Sequence, residues 1–432
     1  MTYREAVARI LALRGGEMAG MRQGLERIEA LLAAVGNPER EFTIVQVGGT
    51  NGKGSVAAMV AAILQAAGRR VGLYTSPHLC DFRERIRVNG RPIAESDVVD
   101  GVEAIGTLVA RHDATMFEAA TTLALDHFAH ERVEVAVLEV GLGGRLDATS
   151  VGEPAVEILA RIDYDHQAYL GGTLAEIAAE KAAIIRSGVA ISARQDPEAL
   201  AVVLARAERA RVPLELEGRE LHVDVRGIDV DQGQRLDLSG PGWRLEDVRC
   251  RLLGVFQPEN ALLAVAAARH LALDEASIRR GLAAAHWPGR FQIIGRDPLV
   301  IVDGAHNPGG ARALARSLEQ YFPGRPITFV VGVSSDKDVA GILEALAPVA
   351  SRMVLTAYSS PRAAPPHSLR RLVPGSVRSV EVAASPREAL AVAMSRPDAP
   401  IICVAGSLFL VGEVLAQAPE KQHLLCGAGA RC

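Results

Sequence analysis

FTIVQVGGTNGKGSVAAMVAAILQAAG, residues 42–68, is the stretch whose reading decides the fold. Phe42 to Val47 is an apolar, β-branched run of the kind that makes a buried strand. Gly48 to Ser55 is a glycine-rich turn, and the alanine-rich segment after it predicts a helix that stops near Gly68. Strand, glycine loop, lysine, hydroxyl and helix in that order are the parts of a phosphate-binding loop. Gly49, Thr50, Asn51, Gly52, Lys53, Gly54 and Ser55 are therefore the candidate nucleotide-phosphate contacts. Small residues let backbone N–H groups curl round phosphate oxygens, the helix N-terminus adds partial positive charge, and Lys53 adds a full one. Ser55 offers a hydroxyl to a magnesium ion. The strict loop pattern sets Ser or Thr directly after the lysine, and here Gly54 intervenes. A glycine-rich turn with an incidental lysine is the competing reading.

Around this stretch lies a chain of 432 residues, 49% apolar and 23% charged, with net charge −4. That length predicts two or three domains with ample core. A mild negative charge argues against a nucleic-acid surface. No apolar run approaches the ~20 residues of a membrane span, and the N-terminus MTYREAVARI reads as an amphipathic helix rather than a signal peptide. Cys80, Cys250, Cys403, Cys426 and Cys432 are odd in number and widely spaced, without a CxxC. Free thiols in a reducing cytoplasm are the expectation.

Strand and helix patterns alternate along most of the chain, with a polar, strand-rich stretch over about 213–253. Trp287-Pro288-Gly289-Arg290 reads as a hinge, after which the alternation restarts. The expected architecture is α/β: a P-loop ATPase-type domain over 1–290 with a central, mostly parallel sheet, and a smaller Rossmann-like α/β domain over 296–418. The tail, 419–432, is expected to be disordered.

Polar residues recur where strands end. Ser76 follows the second strand, Glu139 closes the run VAVLE, and His166 follows the next strand. Carboxyl ends of parallel strands line the ligand crevice, so these three and the phosphate loop share one edge. Oxygen donors with one imidazole suit Mg²⁺ or Mn²⁺ better than zinc. A lone carboxylate buried in an apolar strand costs several kcal/mol, which makes Glu139 the most telling of the three. His166 alone reads as readily as a satisfied core histidine, and Ser76 before Pro77 as a turn residue. Lys181, in an alanine-rich helix, reads by itself as a lysine with its head in water. Asp303-Gly304-Ala305-His306-Asn307-Pro308 repeats the strand-end pattern in the second domain; an Asx-type helix cap is the alternative.

Taken together the motifs resemble the folylpolyglutamate synthase/dihydrofolate synthase family of the Mur ligase superfamily. GTNGKGS (49–55), TSPHL (75–79), ERIRVNG (84–90), LEVGLGGRLDAT (138–149), DHQAYLGGTLAEIAAEKAAI (165–184), WPGRFQ (287–292), DGAHNP (303–308), SSDKD (334–338) and AGSLFL (405–410) carry the resemblance, in the family's order. The extra glycine at 54 belongs to the family pattern.

The resemblance implies an ATP- and Mg²⁺-dependent ligase of folate biosynthesis that phosphorylates a dihydropteroate or folate carboxylate and couples it to L-glutamate. It implies Ser76, Glu139 and His166 as ligands of two magnesium ions and a carbamoylated Lys181 at the second. Asn260, Arg290 and Asp303 become ATP contacts. Gln23 to Glu26 (with Gly24 and Leu25), Thr115 to Phe117 and Leu146 to Ala148 become the pterin site, with Phe117 stacking and Asp147 hydrogen bonding. His306 and Ser407 fall on the glutamate face, Lys53, Lys181 and His306 are the implied catalytic groups, and there is room for a monovalent cation. A cytoplasmic monomer without nucleic-acid or membrane partners, accepting both dihydropteroate and reduced folates, is the expectation.

The chain departs from the family in four places. GLDH reads Asp163-Tyr164-Asp165-His166, EKAGI reads Glu180-Lys181-Ala182-Ala183-Ile184, the adenine loop reads Phe256-Gln257 where many members have His before the glutamine, and the pterin loop reads Met21-Arg22-Gln23-Gly24-Leu25. Another Mur-type ligase acting on a non-folate carboxylate, and a P-loop ATPase with no acceptor, are the competing functions; TSPHL and the 138–149 block favour the folate branch.

Overall fold

The computed structural model describes residues 1–13, 24–395 and 400–417; the tail 419–432 and the pterin-loop residues Met21 to Gln23 lie outside them. The first sheet contains β1 (Thr43–Gly48), β2 (Val71–Tyr74), β3 (Ile86–Val88), β4 (Arg91–Pro92), β5 (Val135–Glu139), β6 (Pro154–Leu159), β7 (Val189–Ser192) and β8 (Leu214–Leu216). Their order is β4-β3-β2-β5-β1-β6-β7-β8. Pairings from β2 to β8 are parallel, and β2–β3 and β3–β4 antiparallel. Alternate residues serve opposite faces. Val45, Val47 and Val137 pack under helices Lys53–Ala66 and Gln257–His270, whereas Ile44, Ala136 and Leu138 pack under Met116–His130. Both faces are covered, which is why β1 and β5 are apolar runs rather than alternating patterns. The chain leaves β1 toward β2 on one side and reaches β6 on the other, so a crevice opens above the carboxyl ends of β1, β5 and β6.

The polar stretch expected to be strand-rich forms an antiparallel meander, β9 (His222–Asp229), β10 (Gly233–Gly240) and β11 (Trp243–Cys250). Leu236, Leu238 and Val248 on its inner face join the core beneath helix Gln257–His270.

The helix after the phosphate loop is braced by helix Glu275–Ala284. A Cβ on Gly281 would lie 2.4 Å from Ile63 Cα and 2.7 Å from its nitrogen, so this backbone approach excludes any side chain. Gly281→Ala is expected to destabilise the first domain by about 1–3 kcal/mol through overpacking. Chemical denaturation reads this, and an unchanged midpoint would argue against so close a crossing.

The second sheet contains β12 (Gln292–Arg296), β13 (Leu299–Val302), β14 (Ile327–Val331), β15 (Ala350–Leu355), β16 (Ser379–Val382) and β17 (Ile401–Ala405), in the order β12-β13-β17-β14-β15-β16. All pairs are parallel except β12–β13. The second domain's sheet thus begins at Gln292, ahead of the expected start at 296. β12 and β16 are the two edge strands missing from the sequence reading. Edge strands are short and half-exposed, so they carry little periodic signal. Among the described residues no helix is long and apolar enough to cross a membrane.

Candidate active site

The phosphate loop leaves β1 with Gly49 and Gly52 in left-handed conformations, φ 125° and 97°. Gly52 precedes helix Lys53–Ala66. A Cβ there would lie 2.5 Å from Asn260 Oδ1, and one on Gly54 would lie 2.8 Å from Trp287 Nε1. The glycine that breaks the strict pattern is therefore explained by packing: the hinge tryptophan lies against it. Gln257 Nε2 donates to Ser55 Oγ at 3.3 Å and Asn260 Nδ2 to Gln257 Oε1 at 3.0 Å, tying the helix that starts at Gln257 to the loop. Ser55 is 1% exposed, deep behind the loop.

The loop opens into a cleft of about 1010 Å³ between the two domains. Thr50 to Ser55, Ser76, Phe117, Glu139, Asp147, His166, Lys181, Asn260, Arg290, Asp303, His306 and Ser407 all reach its wall. Gly24 and Leu25 do not; the neighbouring helix Glu26–Ala34 packs in the same core as helix Met116–His130, and its Arg27 pairs with Glu118 of the wall at 2.9 Å. Gly49 contributes its carbonyl, which accepts from Lys181 Nζ at 3.0 Å.

Glu139 is 5% exposed. Its Oε2 accepts the Ser76 N–H at 3.1 Å. Burial raises its pKa, while Lys53 and the Ser76 N–H oppose the rise. Burial lowers Lys53, with Glu139 and Asp165 pulling the other way. Lys181, 3% exposed, is brought down to about 7 by burial and then by the charge of Lys53. Burial also takes His166 down to about 3, leaving a neutral imidazole able to offer a lone pair. For Asp165 burial acts upward but is outweighed by His306, His166 and Lys337, which hold the carboxyl well below the usual carboxylate range.

Among the described residues no three His, Cys, Asp or Glu side chains form a metal cage. Magnesium requires no such cage, since it binds through one or two protein oxygens plus substrate phosphates and keeps its waters. Ser76 and Glu139, joined through the Ser76 N–H, both reach the cleft wall and are the oxygen donors available for one such site. His166 with Lys181 makes a second only if the lysine carries a carboxylate, since an ammonium is no ligand.

Two predicted ligand contacts already hold other partners. Asp303 accepts from Phe291 N at 2.7 Å and Ala305 N at 2.8 Å, locking the hinge to its own turn. Asp147 Oδ2 accepts from Gly141 N and Leu142 N at 3.1 and 2.9 Å, and Oδ1 from Thr149 N and Oγ1 at 2.9 and 2.6 Å. Both carboxylates brace loops at the cleft wall.

Lys337 had no role in the sequence reading, although it lies in SSDKD. It pairs with Asp165 and stands 3.3 Å from His166 Nε2. The signal that could have found it is its position just after β14, on the second sheet's own ligand edge. Asn307 was likewise unassigned. It exchanges two amide hydrogen bonds with Asn51, at 3.0 and 3.3 Å, and donates to Asp165 Oδ2 at 3.1 Å. These contacts seat the second domain on the phosphate loop.

Two family models match the chain: the Mur ligase middle domain over residues 47–268 and the Mur ligase glutamate ligase domain over 289–408. It is 36% identical to folylpolyglutamate synthase of Lacticaseibacillus casei over 99% of this chain and 100% of that one. It is 40% identical to dihydrofolate synthase/folylpolyglutamate synthase of Mycobacterium tuberculosis, over 87% and 82% respectively. The solved structure of M. tuberculosis folylpolyglutamate synthase complexed with ADP superposes with a TM-score of 0.91 at 36% identity, covering 97% of this chain and 98% of that one. E. coli FolC in complex with DHPP and ADP superposes with a TM-score of 0.88 at 31% identity, covering 98% and 99%.

Proposed function

This chain belongs to the folylpolyglutamate synthase/dihydrofolate synthase family of Mur ligases, and from that premise we propose that it joins L-glutamate to the carboxylate of both dihydropteroate and reduced folates. It is an ATP-dependent ligase. The observation that carries the reading is the set of charges at the mouth of the phosphate loop, where Lys53, Lys337 and Arg290 surround Glu139 and Asp165. Fixed cations beside a phosphate-binding loop suit a triphosphate next to a second carboxylate.

A carboxylate is a poor electrophile toward an amine. Transfer of the γ-phosphoryl gives an acyl phosphate, whose phosphate then leaves as the amine attacks. Positioning and charge neutralisation supply most of the catalysis in phosphoryl transfer. Lys53 offsets charge on the phosphates from the first domain, and Arg290 does so from the hinge. His306 and Ser407 present the glutamate face of the second domain, and closure keeps water from hydrolysing the intermediate. Ser76 and Glu139 would hold one magnesium ion, His166 and carbamoylated Lys181 a second, and the ions supply further charge neutralisation. A cleft of about 1010 Å³ sits at the top of the ~300–1,000 Å³ range of ligand pockets. It leaves room for a pterin beside Phe117 in addition to the nucleotide.

Purified enzyme with ATP, Mg²⁺ and radiolabelled glutamate, offered dihydropteroate, folate or tetrahydrofolate in turn, is expected to label dihydropteroate and tetrahydrofolate. Labelling of the reduced folate alone would remove the dihydrofolate synthase half. ATP hydrolysis without any labelled acceptor would favour an ATPase.

A further inference from the structure

Asp163 stands where the family pattern GLDH has glycine, and the structure gives it a partner in the other domain. Its backbone is fixed to the phosphate loop: Thr50 Oγ1 donates to Asp163 O at 3.0 Å and accepts from Asp163 N at 3.1 Å. Oδ1 accepts the Tyr164 N–H at 2.8 Å, which aims Oδ2 across the cleft. There Oδ2 lies 3.6 Å from Arg312 Nη2. It also presses on Gly309 so closely that a Cβ at 309 would lie 1.9 Å from it. Gly309 and Arg312 lie in the first turns of helix Pro308–Tyr321, an end that favours an anion. A glycine at 163 would supply neither the charge nor the contact.

We propose that Asp163 and Arg312 are a positioning pair that draws the second domain onto the phosphate loop and so sets how well the glutamate face meets the activated carboxylate. Asn51–Asn307, Asp165–Lys337 and His306–Asp165 also cross between the domains. The Asp163–Arg312 pair adds to them at the first turns of helix Pro308–Tyr321. The Asp163 backbone is held by two hydrogen bonds to Thr50 and its carboxylate by one from Tyr164 N, so little freedom is lost on the Asp side when the pair forms. Its arginine is 57% exposed, against 20% for the aspartate, so the pair is screened by salt and its effect is modest.

The proposal uses the glutamate-ligase reading only for its kinetic readout. The test is a double-mutant cycle of Asp163→Asn, Arg312→Gln and both together. Each full-length protein carries one dye on an exposed residue of each domain, and a non-hydrolysable ATP analogue with Mg²⁺ is added. Each single variant is expected to lower the closed-to-open ratio about threefold to fivefold, the scale of a partly exposed ion pair. Glutamate KM is expected to rise by the same factor with kcat within about twofold. The double variant is expected to match either single, and about 0.5 M salt to bring the wild type toward them. Losses that add in the double variant, or closed populations equal to wild type, would overturn the pairing. If the wild type ligates glutamate to no pteroate or folate, the functional reading falls, and the dye-measured populations still decide the pair.

Discussion

Lys53→Ala is expected to abolish ATP-dependent ligation while leaving the secondary structure unchanged. The lysine is half-buried, its ammonium donates to Thr50 O at 3.2 Å, and it opposes Glu139 and Asp165 at the mouth of the phosphate loop. Losing one preorganised charge from such a site costs about 10²–10³ in rate. Turnover of Lys53→Ala within about tenfold of wild type would sink the phosphate-loop assignment, because a hydrogen bond to a charged group is worth about 1.5–3 kcal/mol. Circular dichroism and nucleotide binding, measured alongside, separate lost chemistry from lost folding.

Lys181→Ala is expected to be nearly as damaging, and partly rescued by short carboxylates such as formate or acetate. Carbamate formation needs a neutral amine, and burial brings this lysine down to about 7, so a large neutral fraction is present at neutral pH. A carbamate nitrogen keeps one N–H, so the bond to Gly49 O, 3.0 Å here, can survive the modification. The new carboxylate would then face His166. Wild-type protein equilibrated with ¹³C-bicarbonate is expected to show a carbamate carbon resonance that Lys181→Ala lacks. Absence of that resonance, together with activity indifferent to CO₂ depletion, would leave Lys181 as a plain ammonium that anchors the phosphate loop.

Much of this site is legible in the sequence for a local reason. In a doubly covered parallel sheet the strand interiors must be apolar, so an acid such as Glu139 at the end of VAVLE stands out against its background. The glycines and lysine of 49–54 are legible for a similar reason, since a loop that must curl round an anion is restricted to few residue types. Lys181 shows the limit. On an alanine-rich helix nothing local separates a solvated lysine from a buried one, and only the resemblance marked it. The carboxylates of Asp147 and Asp303 show another, because their residue type does not reveal that their oxygens are occupied by loop N–H groups.

The sequence by itself determined the mixed α/β fold with its second C-terminal α/β unit and the strand ends that bear the phosphate loop, Ser76, Glu139 and His166. Period-two burial, turn chemistry and strand-end polarity are written within a few residues of one another. Only the tertiary structure decided why Gly54 must be glycine, that Lys337 reaches Asp165 and His166, and that Asp163 meets Arg312. Asn51 and Asn307 are 256 positions apart and Asp165 and Lys337 are 172 apart. Such pairs arise from how one sheet's ligand edge is set against the other's, and no short-range pattern encodes that orientation.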